Sequence, residues 1–212
     1  GWGDAPQGRI AQLIRDEKPA LVIHTGDLTY PATSYDYYQR HYFNFYAAMM
    51  CSVPFFACPG NHDYLAPNAT PYLSIHSFPS EGVPAADVGR YYSFDWGNVH
   101  FVSIDSFQAL ERAINAGGPM FRWLENDLRT TRQFWRVVFL HYPAYSTGPN
   151  VNDPQSAWVR SYLVPIFESN GVQLVLSGHE HSYQRTVPIR KSSTVAAGVG
   201  TNYFVSGGGG AI

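Results

Sequence analysis

Apolar runs and helix-like stretches alternate along the first part of the chain. Ile10, Leu13 and Ile14 recur at helical spacing, which predicts an amphipathic helix that ends before Pro19. Short apolar runs bounded by turn residues predict buried strands. The elements expected here are a helix over residues 6–16, a strand over 21–24, a helix over 34–50 and a strand over 54–58. This order of helices and strands is typical of a β-α-β unit.

The second part of the chain adds a hairpin and further alternating elements. After an irregular, Pro-rich passage over residues 64–89, two strand-like segments flank Gly97-Asn98, a strong hairpin signal. Pro165 is expected to bend or interrupt the longest helix of this part. The predicted elements are strands over 91–96 and 99–104, a helix over 119–128, a strand over 135–140, a helix over 154–170, and strands over 172–176, 186–189 and 203–206. Helices that separate strands, together with a central hairpin, favour an α/β fold of two packed mixed sheets flanked by helices.

Composition narrows the class of protein. A chain of 212 residues and 23.7 kDa, 45% hydrophobic, suits one domain with one sizeable core. The net charge of -2 and the absence of Lys/Arg runs argue against nucleic acid or an anionic membrane as partner, so an anionic substrate would have to be held by metal. No apolar stretch is long enough to span a bilayer. The low charged content (14%) with 15 Tyr and 13 Phe favours a secreted or periplasmic enzyme, and pairing of Cys51 with Cys58 stays open.

Six potential metal ligands lie in four motifs, each of which directly follows a strand-like apolar run. Carboxylate, amide, phenolate and imidazole groups brought to one sheet edge can hold two cations and leave positions for water and substrate. The candidate ligands are Asp27, Tyr30, Asn61, His141, His179 and His181. Because the carboxyl ends of strands form the ligand crevice of open α/β sheets, these groups are expected to meet there.

Each motif also has a plainer interpretation. Gly26-Asp27 after a strand usually makes a turn or caps a helix, and Pro59-Gly60 can form a β-turn. His179 and His181, one residue apart on a loop, are more specific, with Glu180 between them expected to face solvent. Taken together, the four motifs favour a metal site over coincidence.

Three further residues refine the chemistry. Tyr30 would favour a trivalent metal such as Fe³⁺, because a phenol becomes a ligand only beside a strong Lewis acid. His62, next to Asn61, could donate a proton to substrate, since imidazole titrates near neutral pH. His24 precedes Gly26-Asp27 inside the strand and is expected in the core or behind the ligands.

With these motifs in place, the chain resembles the calcineurin-like metallophosphoesterases and, within them, the purple acid phosphatases. The matching patterns are Gly-Asp-x-x-Tyr, Gly-Asn-His, Val-x-x-His and Gly-His-x-His, in that order, and Tyr30 separates the chain from relatives that use a second His there. The resemblance implies a four-layer α-β-β-α sandwich over residues 1–212. It also implies that the first strand, and further C-terminal strands, lie outside the sequence given.

The same resemblance implies roles for the residues. Asp27 would bridge two ions, Tyr30 and His181 would complete a ferric site, and three residues would hold a divalent Fe²⁺, Zn²⁺ or Mn²⁺: Asn61, His141 and His179. A metal-bound hydroxide would attack phosphorus, and His62 would protonate the leaving alkoxide. In the family's first motif an Asp stands directly before the position of Trp2, and this sequence has no Asp there. Asp4 is a poor substitute and is expected to cap the first helix.

The leading hypothesis is therefore a dinuclear phosphatase that hydrolyses small phosphate monoesters. One alternative keeps the chemistry and takes a phosphodiester such as a cyclic nucleotide, and residues 65–88 and 145–155 would decide between them. A second alternative, a metal-binding module with impaired catalysis, follows from the missing first Asp. Natural substrate and oligomeric state are left open.

Overall fold

The computed structural model describes residues 1–107 and 117–210. The α-helices are α1 (Ala5–Asp16), α2 (Tyr35–Tyr38), α3 (Asn44–Met50), α4 (Thr70–Ile75), α5 (Pro119–Thr130), α6 (Pro154–Trp158) and α7 (Val164–Ser169). The strands are β1 (Val22–His24), β2 (Phe55–Ala57), β3 (Tyr92–Trp96), β4 (Val99–Ile104), β5 (Trp135–Leu140), β6 (Leu174–Ser177), β7 (Tyr183–Arg185), β8 (Ile189–Arg190), β9 (Ser193–Thr194) and β10 (Asn202–Ser206). Within the described ranges, no helix is long and apolar enough to cross a membrane.

A six-stranded mixed sheet forms the larger β layer. Its order is β3-β4-β5-β6-β10-β7, with the predicted hairpin β3–β4 at one edge and β7 antiparallel to β10 at the other. The four central strands run parallel, and the register pairs Ile104 with Leu140 and Leu140 with Ser177. The carboxyl ends of β4, β5 and β6 therefore lie side by side.

A second, smaller sheet lies against the first. It consists of β1 and β2 in parallel, with His24 opposite Ala57, so it is smaller than the mixed sheet that the sequence predicts. Rings and aliphatic side chains from both sheets fill the space between them, namely Ile23, Phe56, Tyr92, Phe94, Phe101, Phe139 and Leu176. A small hairpin, β8–β9, completes the β structure of the described chain.

Helices cover the outer face of each sheet, which gives the predicted four layers. Residues of β4 and β5 that alternate with the inter-sheet rings, such as Val102 and Val138, pack with α5, α6 and α7 in the largest core cluster. On the other side, α1 and α3 pack with Ala57 of β2 in a second cluster rich in tyrosine. The α/β fold class and the α-β-β-α order are confirmed; the one-domain organisation stays a prediction.

Two helices contain π-helical turns that the sequence pattern does not reveal. Gln39–Phe43 joins α2 to α3, and Val159–Leu163 joins α6 to α7 just before Pro165, where the missing amide of proline weakens the helical ladder as predicted. The passage predicted to be irregular contains α4. The strand predicted over residues 186–189 is wrong: the pairing strand β7 lies earlier, and Ile189 pairs in the small hairpin.

Candidate metal centre

The four motifs converge at the carboxyl ends of two parallel strand pairs. Asp27 follows β1 and Asn61 follows β2 in the small sheet, while His141 follows β5 and His179 follows β6 in the large one. The imidazole Nδ1 of His141 lies 2.7 Å from the carbonyl oxygen of Thr25, which ties the ends of the two sheets together. Three glycines let the backbones come this close: a Cβ on Gly26, Gly60 or Gly178 would lie within 3.0 Å of a neighbouring atom.

The Nε2 atom of buried His141 is the centre of one group of ligands. It lies 3.0 Å from Asn61 Oδ1, 3.3 Å from His179 Nδ1 and 3.4 Å from Asp27 Oδ2. The contact with the Thr25 carbonyl requires His141 Nδ1 to carry a proton, because a carbonyl oxygen only accepts. In the neutral imidazole the lone pair then stays on Nε2 and faces the other three groups.

His179 is oriented in the same way by a carboxylate. Its Nε2 lies 2.8 Å from Asp153 Oδ2, so Nε2 carries the proton and Nδ1 presents its lone pair to His141. The backbone of His179 has φ of 68°, an uncommon conformation outside glycine, as does Asp27 with φ of 56°. Both residues are held in unusual conformations at the point where the ligands meet.

When both imidazoles are neutral, these contacts bring four electron-pair donors together with no proton of their own between them. Two imidazole nitrogens, an amide oxygen and a carboxylate oxygen repel one another unless a cation lies among them. Nitrogen and oxygen donors of this kind suit Fe, Zn or Mn. The residues present therefore fit a metal ion: Asn61, His141, His179 and Asp27.

The second group of ligands meets the first at Asp27 Oδ2. The phenol of Tyr30 donates a hydrogen bond of 2.5 Å to Asp27 Oδ2 and lies 3.3 Å from Nε2 of His181. Asp27 is thus shared between the two groups, which is the position that the resemblance implies for a bridging carboxylate. All six predicted ligands are brought together in the structure.

Charge coupling within the cluster is strong. Although burial raises the pKa of Asp27, the imidazole of His141 outweighs it and holds that pKa well below its usual range. Burial lowers the pKa of His141, but the Asp27 charge and hydrogen bond outweigh burial and raise it. Burial, followed by the Asp27 charge, raises the pKa of the Tyr30 phenol far above its ordinary value. Ligation by Tyr30 would therefore need a strong Lewis acid to displace the phenol proton.

Asp63 organises the loops from beneath, a role that sequence reasoning missed. Its buried carboxylate accepts hydrogen bonds from the amides of Asp27, Gly60 and Leu28 and from the phenol of Tyr38, at 2.7–3.3 Å. The carboxylate thereby joins the loop after β1, the loop after β2 and α2. The sequence contains a signal for this role, since Asp63 directly follows the Gly60-Asn61-His62 motif.

His62 stands beside the ligands rather than among them. Its backbone amide donates to Asp27 Oδ1 at 2.8 Å, and its carbonyl accepts from Thr33 Oγ1 at 2.6 Å, so the backbone is fixed on both sides. The half-buried imidazole lies against the ring of Tyr30, with 4.3 Å between centroids. Burial lowers the pKa of His62, partly opposed by the charge of Asp27.

Glu180 is buried, so the prediction that it faces solvent is wrong. Its carboxylate accepts from the amide of Asn150 at 2.9 Å and from Ser146 Oγ at 3.1 Å. The backbone of Gly148 lies directly against it, where a Cβ would come within 2.1 Å of Glu180 Oε2. The segment that buries Glu180 lies 30 to 34 residues earlier, so the local pattern could not reveal it. Asp153 was missed for the same reason.

An open cleft of about 320 Å³ lies over the cluster. Its lining consists of ligand residues, His62 and one loop: Asp27, Tyr30, Asn61, His62, Pro149, Asn150, His179, Glu180, His181 and Ser182. Pockets that bind small molecules have volumes of about 300–1,000 Å³, and this cleft is at the small end of that range. The cleft therefore suits a small substrate.

Other candidates have structural roles. His24 is partly exposed beneath the site, where desolvation of its imidazole lowers its pKa to about 3, and Asp4 caps α1 by accepting from the amide of Gln7 at 3.2 Å. Cys51 is exposed and Cys58 buried, and both are free thiols. Within residues 1–107 and 117–210, no group of three or more His, Cys, Asp or Glu side chains is placed so that these side chains alone could hold a metal ion. The two groups described above each rely on a tyrosine or an asparagine as well.

Comparison with known proteins agrees with the fold and the motifs. The sequence profile of the calcineurin-like phosphoesterases matches residues 4–183, most of the chain. The chain therefore belongs to the calcineurin-like phosphoesterase family, whose members depend on metal cofactors, and its relatives include purple acid phosphatases.

Individual relatives are similar to only moderate degrees. The chain is 28% identical to probable inactive purple acid phosphatase 9 of Arabidopsis thaliana, over 87% of this chain and 32% of that protein. It is 28% identical to human acid phosphatase type 7, over 85% of this chain and 44% of that protein. A purple acid phosphatase from yellow lupin seeds has the same fold, with a TM-score of 0.79 at 20% identity over 96% of this chain and 39% of the lupin chain. The chain thus spans less than half the length of these relatives.

Proposed function

We propose that this chain hydrolyses small phosphate monoesters with two bound metal ions. The observation that carries the proposal is the convergence of electron-pair donors on either side of Asp27, above which the cleft opens. Membership of a phosphoesterase family supports the reaction class. Preference for monoesters is inferred from the small cleft and from acid phosphatases among the relatives.

We assign Tyr30, Asp27 and His181 to Fe³⁺, and Asn61, His141 and His179, again with Asp27, to Fe²⁺, Zn²⁺ or Mn²⁺. Bound cations in such a site neutralise the charge of phosphoryl oxygens and make water a better nucleophile. Thr25 and Asp153 hold the two imidazoles in the tautomers that leave their lone pairs toward the site.

His62 supplies the proton that the leaving group needs. It lines the cleft next to Asn61 and Tyr30, and its half-buried imidazole is held by a backbone fixed on both sides. Departure of an alkoxide is slow unless it is protonated as the bond to phosphorus breaks. We therefore assign His62 as the general acid.

Metal analysis and visible spectroscopy test the metal assignment. Protein loaded with iron should contain two metal ions per chain and show a tyrosinate-to-iron absorption band that disappears in Tyr30→Phe. The matched control is Tyr42→Phe, which removes a phenol buried near His24 and away from the ligands. A band that persists in Tyr30→Phe would rule out Tyr30 as ligand.

Comparison of chromogenic mono- and diesters tests the substrate class. The monoester is expected to be hydrolysed faster at saturating metal. A diester rate far above the monoester rate would favour a phosphodiesterase instead.

A metal-binding module with impaired catalysis is the second candidate. Two observations favour it: a relative is named as probably inactive, and the described residues contain no group of three or more His, Cys, Asp or Glu side chains that could hold a metal ion by themselves. Elemental analysis together with turnover separates the two candidates, since the module predicts at most one metal per chain and no hydrolysis. A secreted or periplasmic location stays a prediction.

A further inference from the structure

His62 belongs to a single helical turn that is not stable by itself. Residues His62–Leu65 form one 3-10 turn, and so short a segment has little stability apart from its tertiary contacts. Asp63 anchors one side of the turn to the loops beneath the site, as described above. The opposite side is anchored by Tyr64.

The phenol of Tyr64 lies between two buried charges and contacts both. It donates a hydrogen bond to Asp105 and accepts one of 2.6 Å from Arg90 Nη1, whereas the direct distance from Arg90 Nη1 to Asp105 Oδ2 is 4.0 Å. The side chains of Arg90 and Asp105 are only 7% and 2% exposed. Removing the hydroxyl would leave both charges without this partner, in a place where water cannot replace it.

Each member of this Tyr64–Arg90–Asp105 network is itself fixed. Arg90 donates a 3.3 Å bond to the carbonyl of Asn68, and its guanidinium lies 5.7 Å from the centroid of the Tyr64 ring. That ring also stacks on Phe107, with 4.7 Å between centroids. The phenol therefore has a single well-defined position.

The location of Asp105 connects the network to the metal centre. Asp105 directly follows Ile104 of β4, which pairs with Leu140 of β5, the residue before His141. The network thus fixes the turn that carries His62 to the sheet edge that carries a predicted metal ligand.

We propose that Tyr64, Arg90 and Asp105 are positioning residues that hold the His62 imidazole where it can protonate the leaving group. The proposal rests on the phosphoesterase function proposed above. Tyr64 acts through His62 in this scheme and does not contact substrate. Loss of its hydroxyl should harm reactions only to the extent that they need an acid.

The test compares Tyr64→Phe with wild-type full-length protein loaded with metal, on two monoesters. For glycerol 2-phosphate, whose alkoxide leaves poorly, kcat should fall by about tenfold or more, because general acid catalysis contributes about 10²–10⁴-fold. For 4-nitrophenyl phosphate, whose leaving group needs little protonation, kcat should change by less than about twofold. Metal content should be unchanged.

A matched control and a double variant test whether Tyr64 affects catalysis through His62. Tyr91→Phe removes another buried phenol that donates to a carboxylate, Asp87, at 2.9 Å in the large core, and should leave the ratio of the two rates unchanged. In a His62→Ala background, Tyr64→Phe should change kcat by less than about twofold, since residues that act as a unit are not additive. Equal losses on both substrates, or additive losses in the double variant, would overturn the proposal.

A measurement that does not depend on catalysis tests the positioning proposal independently of the proposed function. If wild-type protein hydrolyses neither ester, the proposed function fails, and ¹⁵N NMR of the histidine side chains decides the positioning. The His62 resonances should shift or broaden in Tyr64→Phe and stay unchanged in Tyr91→Phe; His62 signals that do not respond would refute the positioning role. Should Tyr64→Phe not fold, Arg90→Lys perturbs the same phenol through its donor and takes its place in each comparison.

Discussion

Replacing Asp63 with asparagine tests whether one buried carboxylate holds the site loops together. Oδ2 accepts from the amides of Asp27 at 2.9 Å and Gly60 at 2.8 Å, and Oδ1 accepts from the amide of Leu28 at 3.3 Å and the phenol of Tyr38 at 2.7 Å. Asparagine has the same shape, but one of its two terminal atoms is an NH₂ group. With the NH₂ group at the Oδ1 position, the Tyr38 hydroxyl can rotate to accept from it, and the amide of Leu28 is the one donor left facing another donor.

The cost follows from the number of donors that lose their acceptor. A buried donor left without a partner costs about 1–3 kcal/mol, so the loss of one acceptor should lower the free energy of unfolding by about that amount. For a chain of this size, each kcal/mol lowers the melting temperature by about 2–4 °C. Because net stabilities of domains are about 5–15 kcal/mol, Asp63→Asn should be folded but clearly weakened.

Urea unfolding of metal-free protein measures this difference. The midpoint should fall with little change in the slope of free energy against urea, which indicates a change in stability rather than in compactness. Asp36→Asn is the control, because Asp36 is 68% exposed in an ion pair with Arg40 and should contribute less than about 1 kcal/mol. If Asp63→Asn lies within about 1 kcal/mol of wild type, the loops are held by other contacts and the reasoning is wrong.

Two further predictions concern pH and backbone packing. Burial lowers the pKa of His100, but hydrogen bonds to Asp127 and Asp95 at 2.8 and 2.6 Å outweigh it and raise that pKa above its ordinary value. The stabilisation that protonated His100 provides is therefore complete below the pKa of histidine in the unfolded chain, about 6.5, and is lost as pH rises through the raised pKa of the folded state. Urea midpoints of wild type and His100→Gln should therefore converge when they are measured from pH 6 upward. Midpoints that stay a constant distance apart would contradict this. Gly60→Ala should destabilise the protein by about 1–3 kcal/mol, because the new Cβ would lie 2.2 Å from a carboxylate oxygen of Asp27. Gly208→Ala is the control and should have a melting temperature close to that of wild type, because no atom lies within 4 Å of its Cβ. Equal melting temperatures of the two variants would contradict the clash at Gly60.

The sequence was informative wherever a feature depends on neighbours along the chain. Buried strands have continuous apolar runs, and the ligand motifs begin directly at their ends, so both the fold class and the meeting of Asp27, Asn61, His141 and His179 could be predicted. The hairpin at Gly97-Asn98 was predictable for the same local reason.

Features that depend on distant segments could not be predicted. Glu180 is buried only because residues 146–150 fold onto it, and its charge suggested a solvent-facing position. The contact of Asp153 with His179 and that of Tyr64 with Asp105 join segments that are 26 and 41 residues apart. The π-helical turns leave no trace in apolar periodicity, since one extra residue in a turn is within the tolerance of a helical pattern.

The position of Asp63 has a consequence for how the protein matures. Three of its four hydrogen bonds come from backbone amides, and none comes from a ligand side chain. The loops can therefore adopt their positions before any ligand side chain binds a metal ion, and these contacts form without a metal. A metal ion could therefore be taken up by a chain whose loops are already in place.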